Sequence, residues 1–200
     1  MSKTLSKGSI TLIAIGIVIL ILIGGTLTTY NGLVSKDEAA STAWSNLQAQ
    51  SQRRADLVPN LVNTVKGYAK HESETFENVV AARAKATQLS VDADNLTPER
   101  ARQILQAQGD LSTALGKLMA ISESYPELKA SENFSELQAQ LEGTENRIAE
   151  SRRLYNESVQ TFNTAVRRFP ANIVAGIFGF EKKSKFEAQE SAANAPQVEF

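Results

Sequence analysis

The chain has 200 residues, with 21 Lys or Arg against 22 Asp or Glu, no cysteine and one histidine. Near-neutral charge argues against a nucleic-acid binder, which needs a basic face to neutralise phosphates, and the missing thiols exclude disulfides, thiol catalysis and thiolate metal sites. One histidine leaves any zinc or iron site to carboxylates, and no i, i+3 or i, i+4 cluster of the helical metal-site kind is evident, so no cofactor and no metal are expected.

The first element is Ser9 to Thr29, an isoleucine-rich run of 21 residues, and no charge falls between Lys7 and Lys36. As a helix it measures about 31 Å, close to the hydrocarbon thickness of a bilayer. A soluble core helix keeps a polar stripe, whereas Ile10 to Ile23 is apolar on every face. A cleaved secretory signal would want a shorter apolar region and a small-x-small site, for which Gly24-Gly25-Thr26-Leu27 is poor. Without cysteine, a lipoprotein anchor is excluded. The reading is a retained transmembrane helix over 9–29. Lys3 and Lys7 precede it while Lys36, offset by Asp37 and Glu38, follows, so the positive-inside rule leans towards a cytoplasmic 1–8 and a periplasmic domain. The lean is small.

After the span, apolar residues at Val34, Ala40, Trp44, Leu47, Val58, Leu61, Val65 and Tyr68 recur by threes and fours or their multiples. That is the seam of a helix packed on other helices. Pro59 removes one backbone donor and crowds the carbonyl four residues back, which predicts a bend near Ala55 to Val58 rather than a stop. A turn near 69–73 then gives four helices, at about 35–69, 73–90, 98–124 and 131–168, whose lengths suit an up-down-up-down order. Thr97-Pro98-Glu99 reads as N-cap, first-turn proline and first-turn acid for the third helix, whose seam is Ile104, Gln108, Leu111, Leu115, Leu118 and Tyr125. Ser131 is the expected cap of the fourth, with seam residues Phe134, Leu137, Leu141, Ile148, Tyr155, Val159, Phe162, Val166 and Phe169. No stretch alternates with period two for long enough to suggest a sheet. The fold class is all-α: an N-terminal transmembrane helix followed by an elongated antiparallel four-helix bundle over 30–170.

Residues 171–187 hold a second apolar patch, Ile173, Val174, Ile177, Phe178 and Phe180, followed by Lys182, Lys183 and Lys185. It is too short to span a bilayer. Two readings stand: an interfacial segment in the headgroup region, if the fourth helix returns to the membrane, or a loop folded over the bundle end. Residues 188–200, rich in Ala, Glu, Gln and Asn, read as a disordered tail.

Several polar residues break the apolar pattern. Arg54 occupies a seam position and Arg152 lies near one, and a lone buried charge is costly, so each needs a partner. Asp56 and Glu145 are the expected partners of Arg54 and Arg152, with Asn60, Asn156 and Asn163 bonding between the first and fourth helices. The competing reading is a solvated charged face. His71, at the predicted turn, reads as surface, and Trp44 as bundle core. No G-x-S-x-G nucleophile elbow or glycine-rich phosphate loop occurs.

Gln52-Arg53-Arg54-Ala55-Asp56-Leu57-Val58-Pro59-Asn60-Leu61-Val62, with Val65-Lys66-Gly67-Tyr68-Ala69 after it, resembles the LemA family. So do Tyr30-Asn31, Ala43-Trp44, Tyr125-Pro126-Glu127-Leu128, Glu145-Asn146-Arg147-Ile148-Ala149, Arg152-Arg153-Leu154-Tyr155-Asn156 and Phe169-Pro170. The resemblance implies a membrane helix followed by a long antiparallel bundle, with no securely attached enzymatic activity. It also implies association with membrane metalloproteases and TPM-domain proteins, and in one branch with magnetosome membrane formation. The functional expectation is a non-enzymatic structural or interaction protein of the bacterial inner membrane, forming homo-oligomers and touching the lipid bilayer. Alternatives are a membrane-shaping oligomer and an accessory subunit of a membrane protease or transporter. No small-molecule substrate is evident.

Overall fold

The computed structural model describes residues 7–89 and 91–186. Six α-helices follow one another: α1 Lys7–Tyr68, α2 Ser73–Gln88, α3 Pro98–Ile121, α4 Pro126–Lys129, α5 Glu132–Arg167 and α6 Ala171–Phe178. Short 3-10 turns lie at Ala93–Asn95 and Ser122–Ser124, and no strand occurs among the described residues. The proposed tail 188–200 and most of the 1–8 leader lie outside these residues.

Helix α1 is 62 residues long, about 93 Å at 1.5 Å per residue. Its N-terminal part is apolar and uncovered, with Leu12 at 72% and Leu20 at 70% exposure, and it is the one helix among the described residues long and apolar enough to cross a membrane. The hydroxyls of Thr26, Thr28 and Thr29 donate to the carbonyls of Leu22, Gly24 and Gly25 at 2.8–2.9 Å. These three hydroxyls are thereby satisfied within their own helix, as an apolar solvent requires.

Beyond Tyr30 the same helix enters the core without a break. Leu33, Ala40, Leu47, Arg54 and Leu61 recur every seven residues and are all buried, as are Trp44 and Val58 between them and Val65 beyond. The expected seam slips by one residue at both ends: Val34 and Tyr68 are exposed, while Leu33 and Ala69 are buried. At those ends different partners take over, α6 at the first and the turn into α2 at the second, so the face that needs apolar residues rotates.

Helix α5 runs antiparallel to α1 and packs on it more extensively than any other element does. Trp44 meets Tyr155, Arg54 meets Glu145, and Val58, Leu61 and Val65 share a cluster with Phe134 and Leu141. Helices α2 and α3 form an antiparallel pair, in which Gln108 Nε2 donates to the Ala86 carbonyl and Lys85 pairs with Asp110. Thr97 caps α3, accepting from the Arg100 amide at 3.3 Å, while Ser131 stands at the N-cap of α5 without a side-chain cap bond. Helix α3 touches α1 sparsely and scarcely meets α5, so the four long helices do not close into an evenly packed ring.

Pro59 does not end α1. It lies on the exposed face, and the carbonyl it strands, that of Ala55 four residues back, accepts a hydrogen bond from Arg83 Nε of α2 at 2.7 Å. An unpaired carbonyl here would cost about 1–3 kcal/mol. We expect Arg83→Ala to lower stability by about 1–2 kcal/mol. In a Pro59→Ala background the loss should shrink by at least half, because the restored amide takes the carbonyl itself. A double-mutant cycle by urea unfolding measures this, and additive losses would disprove the repair.

Candidate functional site

Arg54 is the largest fully buried side chain among the described residues, at 1% exposure. Its position every seventh residue with Leu33, Ala40, Leu47 and Leu61 forces it inward, and a polar cage from two other helices receives it. Nη1 donates to Glu145 Oε1 of α5 at 2.5 Å and to Ser112 Oγ of α3 at 2.7 Å. Nη2 donates to both the backbone carbonyl and the side-chain oxygen of Gln108. Charge-assisted bonds of this kind are the strong ones, and together they tie α1, α3 and α5 at one level. Arg54 Nε has no protein acceptor among the described residues.

This arrangement corrects the expected pairing. Glu145 pairs with Arg54, and Asp56, exposed one helical face away, accepts instead from Gln52 Nε2 at 2.8 Å. Residues i and i+2 of a helix diverge by about 200°, so Asp56 cannot share Arg54's face. Arg152 and Arg53 are exposed, and so is Asn60, whose backbone carbonyl accepts from the Thr64 hydroxyl. Gln108 was readable as a polar residue in an apolar seam. Ser112 carried no such signal.

Because α3 and α5 scarcely meet, a groove of about 600 Å³ opens between them over α1. Arg54, Gln108, Ser112 and Glu145 form its polar centre, and half-buried Ile104, Leu105 and Ile148 lie along it. Arg152 and Phe186 also line it.

Asn156 and Asn163 bond to a returning segment of the chain, not across to the first helix as expected. After α6, Gly179 adopts φ 76°, a left-handed conformation suited to glycine, and the chain reverses. Residues 180–186 then run back along α5. The Asn163 amide exchanges two bonds with the backbone of Lys183, at 2.8 and 2.9 Å, and that of Asn156 does the same with Phe186, at 2.9 Å each. Seven residues of helix cover about 10.5 Å and three of extended chain about 10 Å, so the two amide pairs match in pitch. Between them Tyr155 Oη donates to the Ser184 carbonyl at 2.8 Å. Phe186 closes an aromatic trio with Trp44 and Tyr155, ring centroids 5.4–5.5 Å apart. Lys183 Nζ bridges Asp37 of α1 and Asp94 of the 3-10 turn at 2.9 and 2.8 Å. Burial pulls its pKa down, but the bonds to Asp94 and Asp37 outweigh this and hold it above the usual lysine value.

At the base of the bundle α6 packs on both α1 and α5. Val174 and Ala175 are buried against Leu33, and Phe178 and half-buried Phe180 lie 4.8 and 5.7 Å from the Tyr30 ring. Ile173, Ile177 and Phe178 keep 53%, 71% and 52% exposure. Phe169, expected in the seam of the last helix, is 81% exposed: α5 ends at Arg167, and a cis Phe169–Pro170 bond follows.

The LemA family pattern matches residues 43–200. The chain belongs to the LemA family. It is 28% identical over 189 residues to the magnetosome protein MamQ of Magnetospirillum gryphiswaldense, covering 86% of this chain and 69% of the relative. Magnetosome protein MamQ 2 of Paramagnetospirillum magneticum is 26% identical over the same length and shares. Protein LemA of Metamycoplasma hominis is 26% identical over 160 residues, 80% of this chain and 69% of that protein. The matched region takes in the Arg54 cage, the groove and the returning segment of this LemA chain alike.

Arg54→Ala leaves a cavity and removes the donor from four acceptor atoms on three residues, and should cost about 3 kcal/mol in chemical unfolding. Arg54→Met keeps the volume, and since Glu145 is 39% exposed on its side chain the freed acceptors can rehydrate through the groove; it should cost less than half as much. Equal losses would mean that the charge, not the packing, is what the site needs.

Burial pushes the Tyr155 hydroxyl up to about 12. A phenol whose folded pKa exceeds its unfolded one, about 10, contributes stability that is complete below pH 10 and lost as pH rises towards 12. Lys183, also raised, acts in the same direction. Stability of the unaltered protein should therefore fall between about pH 10 and 12 by up to about 3 kcal/mol from Tyr155. Tyr155→Phe should start about 1 kcal/mol lower at neutral pH and fall less steeply in urea unfolding across that range.

Proposed function

We propose that this LemA-family protein is a single-pass anchor of the bacterial inner membrane that holds a rigid, non-enzymatic helical bundle against the bilayer and presents it to other proteins, including further copies of itself. The observation that carries the reading is the continuity of α1: one helix runs from the uncovered apolar segment into the centre of the bundle. A flexible linker would decouple tether from domain, whereas a continuous helix transmits position and tilt. The open α3–α5 groove, with apolar walls around a polar centre, gives such a bundle a surface on which another helix or segment could lie. The charge lean at the N-terminus supports a bundle on the periplasmic side, and membrane metalloproteases, TPM-domain proteins and transporters are the partner classes this reading admits.

A second reading, membrane shaping by many copies, is favoured by the similarity to the magnetosome proteins MamQ. The two share self-association. Light scattering on the full-length protein extracted in mild detergent should give a mass at least twice the 21.7 kDa of one chain. A clean monomer, with no crosslinked dimer in native membranes, removes the self-associating form of the proposal. Liposomes that keep their shape at high protein density would remove the second reading alone.

A further inference from the structure

A helix that merely caps the end of a soluble bundle turns apolar residues inward and polar ones outward. Helix α6 does not. Its inward face is Val174 and Ala175; its outward face carries Ile173 and Ile177, at 53% and 71% exposure, with Phe178 beside them and Phe169 just before the helix. Asn172 is the only polar side chain in Ala171–Phe178. The helix is apolar on both sides, and the bundle accounts for one.

The place of this second face along the molecule is fixed by α1. The midpoint of the run 9–29 is Ile19, and ten residues from it to Thr29 rise about 15 Å, half the thickness of a hydrocarbon core. Tyr30 therefore stands at the boundary, where tyrosine is favoured for having an apolar body and a polar tip. Phe178 lies 4.8 Å from Tyr30, ring centre to ring centre, so the exposed face of α6 is at the level where α1 leaves the lipid. Exposed Arg167 and Arg168 precede the patch and Lys182 follows it, at phosphate-binding reach for a segment lying in the headgroup layer.

We propose that Phe169, Ile173, Ile177 and Phe178 form a second membrane contact, an interfacial foot that enters the leaflet from which α1 emerges. The occupant of this face is lipid. A foot is useful only if it is rigidly joined to what it supports, and α6 is held on both sides: by Leu33 and Tyr30 of α1, and by the returning segment that the Asn163 and Asn156 amides fasten to α5. Attachment at two points fixes the tilt and rotation of the bundle about the span, which a single helix leaves free, and so fixes the direction in which the α3–α5 groove faces.

The inference rests on the anchoring reading, and the absence of cysteine in the chain allows both to be tested in the full-length protein. Single cysteines at Phe169, Ile177, Ile19 and Val80 carry spin labels after reconstitution into phosphatidylcholine–phosphatidylglycerol vesicles; all four residues are solvent-exposed, Val80 at 52% and on α2. The ratio of oxygen to water-soluble nickel-chelate accessibility should be at least threefold higher at Ile177→Cys and Phe169→Cys than at Val80→Cys, and highest at Ile19→Cys. Helical circular dichroism equal to that of the unaltered chain confirms each variant's fold. A lipid-like ratio at residue 19 with water-like ratios at 169 and 177 overturns the foot and leaves the anchor standing. Water-like ratios at all four positions overturn both. Immobilised labels at 169 and 177 with low access to either reagent assign the face to a protein contact and overturn lipid as its occupant. As an independent readout, Ile177→Trp should be quenched by lipids brominated near the headgroup at least twice as strongly as the buried native Trp44, and equal quenching counts against the proposal.

Discussion

The structure depends on α1 remaining one helix over 62 residues. Everything else is arranged along it: the uncovered apolar segment, then α6, then the aromatic trio, then the Arg54 cage, then the far core where α2, α3 and α5 converge. A break at Pro59 would separate the far core from the rest. The guanidinium of Arg83 prevents the orphan carbonyl from being left dry in a packed interface, and so an ordinarily helix-breaking residue is accommodated.

Two kinds of fastening hold the remaining elements to this rod. Apolar burial is spread along the α1–α5 contact and is tolerant of small shifts. The polar fastenings are directional and set position: the Arg54 cage fixes the level of α3 and α5 relative to α1, and the paired amides of Asn156 and Asn163 fix the returning segment relative to α5. Such bonds add little net stability on average but penalise any other register, because each leaves a buried polar group unpaired. Lys183 adds a charged bridge where the segment, α1 and the 3-10 turn meet.

Such construction suits the anchoring role proposed above. Rigidity along the rod relates Tyr30, where the uncovered apolar run ends, to the groove about 36 Å beyond it, taking the rise from Tyr30 to the level of Arg54 at about 1.5 Å per residue. The groove itself exists because α3 pairs with α2 and leaves α5 scarcely touched.

The amino-acid sequence by itself determined that the chain is helical, that its N-terminal run is long and apolar enough to cross a membrane, and which family it belongs to. These follow from hydrophobic period, length and local motif, all properties of contiguous residues. It also marked Arg54, Gln108, Asn156 and Asn163 as polar residues in apolar seams. Only the tertiary structure decided what each of them touches: Glu145 rather than Asp56 for Arg54, and the segment 183–186 rather than the first helix for the two asparagines. Periodicity tells which face a side chain is on but not which of several helices, or which returning segment, will lie opposite. That choice is made by packing between residues 20 to 91 positions apart, as it is for Arg83, whose acceptor 28 residues away is defined by a proline on another helix.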